Sequence, residues 1–235
     1  MKSFINNLYN HAVDLNYKNV LSLFSKDSSC KLLDLGCDDG NMTKDIARVI
    51  GTSDINGVEI IDERAHLAEV QGVRVKNFNL NGHFDYDNNI FDVIHANQVI
   101  EHLYNSDIFL SEIYRILKPG GYAVISTENA SSWCNIFASL LGWQIFSLTN
   151  FSSKKQGIGN PFALHGKESG GHADLSSWNH IRIYNIRGLK EYFEVFGFKV
   201  EEIKGAGYFP FPAILGNLDK THCHFMTFKI RKLPV

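Results

Sequence analysis

The chain has 235 residues, 44% hydrophobic and 20% charged, values that suit one domain with a buried core. A formal net charge of −2 spreads no basic field for a nucleic-acid partner, and no run approaches the ~18 apolar residues of a membrane span. The opening MKSFINNLYNHAVDLNY lacks a secretory apolar core, and Cys30, Cys37, Cys134 and Cys223 form no C-x-x-C pair, so reduced thiols and a cytoplasmic location are expected.

Phe4, Leu8, Ala12, Leu15, Val20, Leu21 and Phe24 recur at helical spacing, which predicts a helical cover over residues 1–25, as one or two helices. Lys31 to Leu35 is a short apolar run that reads as a buried parallel strand. It breaks at Gly36 and Gly40, and Asn41 to Ile50 carries apolar residues at helical spacing. Strand, glycine turn and helix open a nucleotide-binding βαβ unit, where bare backbone can approach a ligand. The spacing is not G-x-G-x-x-G, which argues against a nicotinamide-dependent oxidoreductase. Asp54 to Ile60 predicts a second strand reaching Glu59, about twenty residues beyond the loop, where an acid accepts hydrogen bonds from ribose hydroxyls.

Further on, Arg64 to Val70 predicts a helix, and Val73 to Phe78 and Phe91 to His95 predict strands. Phe109 to Leu117 is an amphipathic helix pattern, stopped by Lys118-Pro119-Gly120-Gly121 ahead of a strand at Tyr122 to Ser126. The pattern resumes as a helix at Asn185 to Phe196 and strands at Phe198 to Ile203 and Thr221 to Arg231.

In DLGCDDG, FDVIHANQVIEHL and ILKPGG, the chain resembles the class I S-adenosylmethionine-dependent methyltransferases from about residue 31 to residue 128. The resemblance implies a Rossmann-like, doubly wound, mostly parallel seven-stranded sheet with an antiparallel last strand, in a single domain. It implies S-adenosyl-L-methionine as cofactor, held by Asp34, Gly36, Cys37, Gly40, Glu59, Ile60, Asn79, Leu80 and Asn97. Asn79-Leu80-Asn81 is similar to the family's D-L-N turn, so the Asn79 amide oxygen can accept from the adenine amino group or serve only its own turn. Asp38 stands where the family usually has glycine; its carboxylate would repel that of the cofactor, face its ammonium group, or cap the helix. Asn97-Gln98 departs from the N-P-P-[YF] of methylases that act on nucleic-acid base amines, which disfavours such a substrate.

Residues 129–179 break the alternating pattern and hold all three tryptophans, Trp133, Trp143 and Trp178. An insert this long is usually functional or carries structure of its own, and the resemblance implies a substrate pocket or lid, with Trp133 and His172 expected against the acceptor. Ser131 to Leu148 contains no charged residue, which is compatible with a lid, a homodimer surface or a membrane-interface helix, and with an apolar or lipid-linked acceptor. His180 is the leading candidate for the chemistry and His102 the second, with Arg182 placed to hold an acidic acceptor. The bland alternatives are a helix-capping His180 and a His102 bonded to backbone. His222-Cys223-His224 on a strand would divide its donors between two faces, so no metal site is expected. The function these features imply is methyl transfer to an oxygen or nitrogen of a small molecule. The alternative is a non-catalytic cofactor-binding regulatory or assembly protein, which Asp38 favours.

Overall fold

A computed structural model describes residues 2–163 and 179–234. Seven strands, β1 (Lys31–Leu35), β2 (Asp54–Val58), β3 (Arg74–Lys76), β4 (Phe91–Asn97), β5 (Leu117–Glu128), β6 (Phe198–Ala206) and β7 (Phe225–Lys232), form one sheet in the order β3-β2-β1-β4-β5-β7-β6. All neighbours among β1 to β5 are parallel, while β7 runs antiparallel to both β5 and β6. This is the doubly wound arrangement expected from the sequence. The winding reverses between β1 and β4, and ligands in such sheets bind beyond the carboxyl ends of the strands at that point.

The near-continuous apolar strands follow from burial on both faces. In β1, Leu33 and Leu35 join one core with Ile94, Phe109, Ile113 and Phe228. Leu32 points the other way, to a core with Ile46, Val93, Val124 and Val20. Asp34 pairs in register with His95, whose Nδ1 lies 2.7 Å from the Asp34 carboxylate, and the Thr43 hydroxyl donates to the same carboxylate at 2.5 Å.

The helices are α1 (Lys2–Leu21), α2 (Asn41–Ile50), α3 (Asp62–Val70), α4 (Ser106–Ile116), α5 (Trp133–Leu140) and α6 (Ile186–Val195). Asparagines begin two of them: Asn105 accepts from the Ile108 N–H, and Asn185 from the Gly188 N–H. The first segment is one helix, anchored by polar bonds as well as apolar packing. Asn16 in α1 is buried, and its Oδ1 accepts from Ser126 and Thr227 while Asn19 donates to the Gly205 carbonyl.

Most elements differ from the sequence expectations by a few residues at one end, and three of these differences have a clear physical cause. α4 starts at Ser106 because Asn105 caps it. Lys118-Pro119-Gly120-Gly121 is an excursion within β5: Phe91 pairs with Leu117 and Val93 with Tyr122, so these four residues bulge opposite Asp92. A Cβ on Gly121 would lie 2.9 Å from the Asp92 carbonyl oxygen, which explains the second glycine. The last strand starts at Phe225, leaving His222-Cys223-His224 in the preceding turn, where strand alternation does not apply.

The described part of the insert has an internal framework. Asn135 donates to Ser147 and to the Asn129 carbonyl, Gln144 pairs with Gly159, and Asn160 donates to the Gln144 carbonyl. No described helix is long and apolar enough to cross a membrane.

Candidate active site

A cavity of about 740 Å³ opens at the carboxyl ends of β1, β2 and β4, within the usual size of small-molecule sites. Its first end is built by the turns after β1, β2 and β3. Gly36 has φ 76°, and a Cβ there would lie 2.8 Å from Val99 Cγ2. The glycine is thus required by a left-handed turn and by the side chain packed over it. Glu59 is buried behind the loop; its two oxygens accept from the Asp38 and Ile61 N–H groups at 3.0 and 2.9 Å. One carboxylate therefore fixes the glycine loop and the start of α3 while remaining on the cavity wall. Ile60, Asn79, Leu80 and Asn97 also line the cavity.

Asp38 takes φ 48°, a conformation that aspartate tolerates better than most residues. Its carboxylate lies 2.9 Å from Arg64 Nε, so its charge has a partner within the protein. Asn79 Oδ1 accepts both the backbone N–H and the side-chain amide of Asn81 at 2.9 Å. Those bonds give the oxygen a turn-forming role as well, on a residue that lines the cavity.

Asp34, Cys37 and Gly40 do not line the cavity. Asp34 is engaged by His95 and Thr43. Cys37 fills the space left by Gly57, where a Cβ would meet its sulfur at 2.6 Å, and burial first, then the nearby carboxylates, push its thiol's proton affinity up. Gly40 packs against Ala68 of α3. These three shape the loop from behind.

The other end is assembled from distant segments. His102 Nδ1 lies 3.0 Å from the Asn179 carbonyl and His180 Nδ1 lies 2.7 Å from the Ser147 carbonyl. A carbonyl only accepts, so each Nδ1 carries a proton, and the nitrogen that can gain or lose one is Nε2. The two rings meet edge to face with centroids 4.7 Å apart, and both line the cavity. His180 thus lines the cavity, and the cap of α6 is supplied by Asn185 instead. The segment carrying His180 is fastened to the one carrying His102: the Ile181 and Arg182 N–H groups both donate to the Glu101 carbonyl.

Arg182 is not part of the cavity wall; its guanidinium donates to the Tyr104 carbonyl and the Ser106 hydroxyl. In an extended segment Arg182 would point the same way as His180, two residues before it, but these bonds turn it towards α4. Trp133 stacks on His222 with centroids 4.4 Å apart, outside the cavity. His172 lies outside the described residues.

The sequence reading did not single out Tyr9, Glu101, Glu128 or Asn150. Glu128, at the carboxyl end of β5, is buried with Oε2 4.0 Å from His180 Nδ1 and Oε1 3.9 Å from His224 Nε2. Burial, then the Glu128 charge, push the Tyr9 phenol up. Burial pushes the Glu101 carboxyl up to about 7, against the opposing influence of His180. Position at a strand's carboxyl end was the available signal for Glu128.

The methyltransferase-domain family profile matches residues 9–203, and the chain belongs to that family. Mitochondrial ubiquinone biosynthesis O-methyltransferase of Rattus norvegicus is 22% identical over 213 residues, covering 87% of this chain and 54% of the relative. Sterol 24-C-methyltransferase of Yarrowia lipolytica is 34% identical over 97 residues, covering 39% of this chain and 26% of the relative. The chain spans about half the length, or less, of these curated relatives. An S-adenosylmethionine-dependent methyltransferase from Mesorhizobium loti has the same fold, with TM-score 0.60 at 14% identity over 91% of this chain and 96% of that one. S-adenosylmethionine is the cofactor this membership implies. The cleft fits it, with a bare-backbone turn at Gly36, a buried carboxylate at the end of β2 and the apolar Ile60 and Leu80 beside them.

Proposed function

We propose that the chain catalyses methyl transfer from S-adenosylmethionine to an oxygen or nitrogen of a small-molecule acceptor held at the His102–His180 end of the cavity. The carrying observation is continuity: one cavity is walled by Gly36 and Glu59 at one end and by His102, Glu128 and His180 at the other. The bound cofactor would supply an already activated methyl group. What this chain contributes is alignment, exclusion of water and management of the acceptor's proton. Gly36, Glu59, Ile60 and Leu80 would hold the cofactor. His180, with Nδ1–H fixed on Ser147, would present Nε2 to the acceptor's proton, and His102 would orient the same group. Tyr9, Val13 and Tyr17 of α1 and Asn150 of the insert line the same cavity and would help to exclude water from it.

The relatives' names span an oxygen acceptor in ubiquinone biosynthesis and a sterol carbon. The histidine pair favours an acceptor that must lose a proton, hence oxygen or nitrogen. Asp38, the main support for a non-catalytic reading, is paired with Arg64 and no longer argues against cofactor binding. The test is transfer of radiolabel from the cofactor to a panel of phenols, catechols and amines. Labelled product that disappears in His180→Ala supports the reading; tight cofactor binding with no label transferred to any acceptor overturns it.

A further inference from the structure

We propose that Glu101, His102 and His180 form a binding site for one divalent first-row transition-metal ion, and that this site selects acceptors carrying two adjacent oxygens. One carboxylate oxygen of Glu101 and one ring nitrogen of each histidine lie within 4.8 Å of one another. An ion bonded at about 2.0–2.2 Å holds its donors within roughly 4 Å of each other, so side-chain adjustment without movement of the backbone segments would close the set.

The donors are already oriented. Both imidazoles have Nδ1–H committed to a backbone carbonyl, which leaves Nε2 as the ligand atom of each; metal-binding histidines are held in this manner. Glu101 is fully buried, and neither oxygen has a hydrogen bond of normal geometry among the described residues, although Thr127 and His180 lie beside it. A carboxylate buried in this way is costly unless a cation meets it. Glu128 brings a second carboxylate to the same wall, 4.0 Å from His180. Two imidazoles and one carboxylate suit zinc, iron(II) or manganese(II) rather than calcium or magnesium, which prefer oxygen donors alone.

The placement is also specific. His102 and His180 face the cavity while Glu101 stands behind them, so the remaining coordination positions of a bound ion would open towards the acceptor. Catechol-like hydroxyls can occupy two such positions, and a metal-bound hydroxyl loses its proton more readily. In that arrangement the histidines act as ligands and the ion takes over the task otherwise given to His180 as base. This choice of acceptor class rests on the methyl-transfer reading; the metal site does not.

The experiment is titration of the metal-stripped full chain with Zn²⁺ and Mn²⁺ by calorimetry, beside Glu101→Gln, His180→Ala and the exposed control His66→Ala. One equivalent should bind, at micromolar affinity or tighter, with a loss of at least tenfold in the two site variants and none in the control. Because Glu101→Gln could fail to fold, Mn²⁺ broadening of histidine ring signals is read on the unmutated protein. Selective broadening of His102 and His180 over His66 supports the site; uniform broadening, or affinity unchanged in both variants, overturns it. Catechol should then tighten Zn²⁺ binding where phenol does not, and equal effects of the two would overturn the acceptor class. Cofactor affinity measured on the same samples separates the outcomes, since its loss would sink the methyl-transfer reading while leaving the metal result standing.

Discussion

At the proposed cofactor end of the cleft, Gly36, Asp38, Glu59, Asn79 and Leu80 come from the segments that follow β1, β2 and β3, within residues 36–80. At the proposed acceptor end, Tyr9, His102, Glu128, Asn150, His180 and Phe225 come from almost the full length of the chain. The first is local: each residue sits at a position set by the strand before it, and one carboxylate, Glu59, ties two of the turns together. The second exists only through long-range bonds, such as those from residues 181 and 182 to Glu101. Changes at the first end should therefore act on binding and stability together, and changes at the second on turnover with cofactor binding preserved.

The largest expected effect tests the acceptor end. His180→Ala should lower turnover by about 10²–10⁴-fold, with cofactor affinity unchanged in calorimetry. A parallel loss of cofactor affinity would mean the two ends are not separable. Next comes Glu59→Ala, expected to weaken cofactor binding by about 1.5–3 kcal/mol and to lower the melting temperature as well. Glu59→Gln keeps one accepting oxygen and should fall between the two. A smaller effect, about 1–2 kcal/mol of stability, is expected for Gly36→Ala from its left-handed backbone. Urea unfolding of Gly36→Ala with Val99→Ala separates that backbone cost from the 2.8 Å contact, because only the contact is relieved. Gly36→Val is thus a poor test of ligand contact, since it disturbs the fold first. The smallest effect belongs to Asp38→Gly. The Asp38 and Arg64 side chains are 58% and 25% exposed, so their ion pair is worth at most about 1 kcal/mol. Cofactor affinity should change by less than tenfold; a larger gain would show that Asp38 repels the cofactor after all.

The same contrast explains what could be read from the sequence. β1, the glycine turn, α2 and Glu59 were legible because burial on both sheet faces and a left-handed turn leave short-range patterns. Asp34 and Cys37 belong to those patterns without touching the cavity, because a loop's support is as constrained in sequence as its contact surface. His180 and His102 were legible by position, but their pairing with Glu101 was not, since α4, β5 and the insert separate them in the chain. Arg182 shows the limit of reading direction from position: its direction is set by Tyr104 and Ser106, far from it in sequence. For Glu59 the sequence suggested a ligand contact alone, whereas its bonds to Asp38 and Ile61 give it a structural task as well.

The position of β7 bears on how the protein is made. β6 lies at the sheet edge and pairs with β7 alone, yet it is synthesised first. Until β7 leaves the ribosome, β6 has no partner strand and the inner side of β5 is open. The cavity shares this dependence, because Phe225 at the start of β7 meets Tyr9 of α1 with ring centroids 6.0 Å apart. Sheet and acceptor wall are therefore finished in the same late step of biogenesis. A nascent chain halted before residue 225 would carry a complete cofactor loop without a closed acceptor wall, so a ribosome-stalled series should acquire cofactor binding before it acquires turnover.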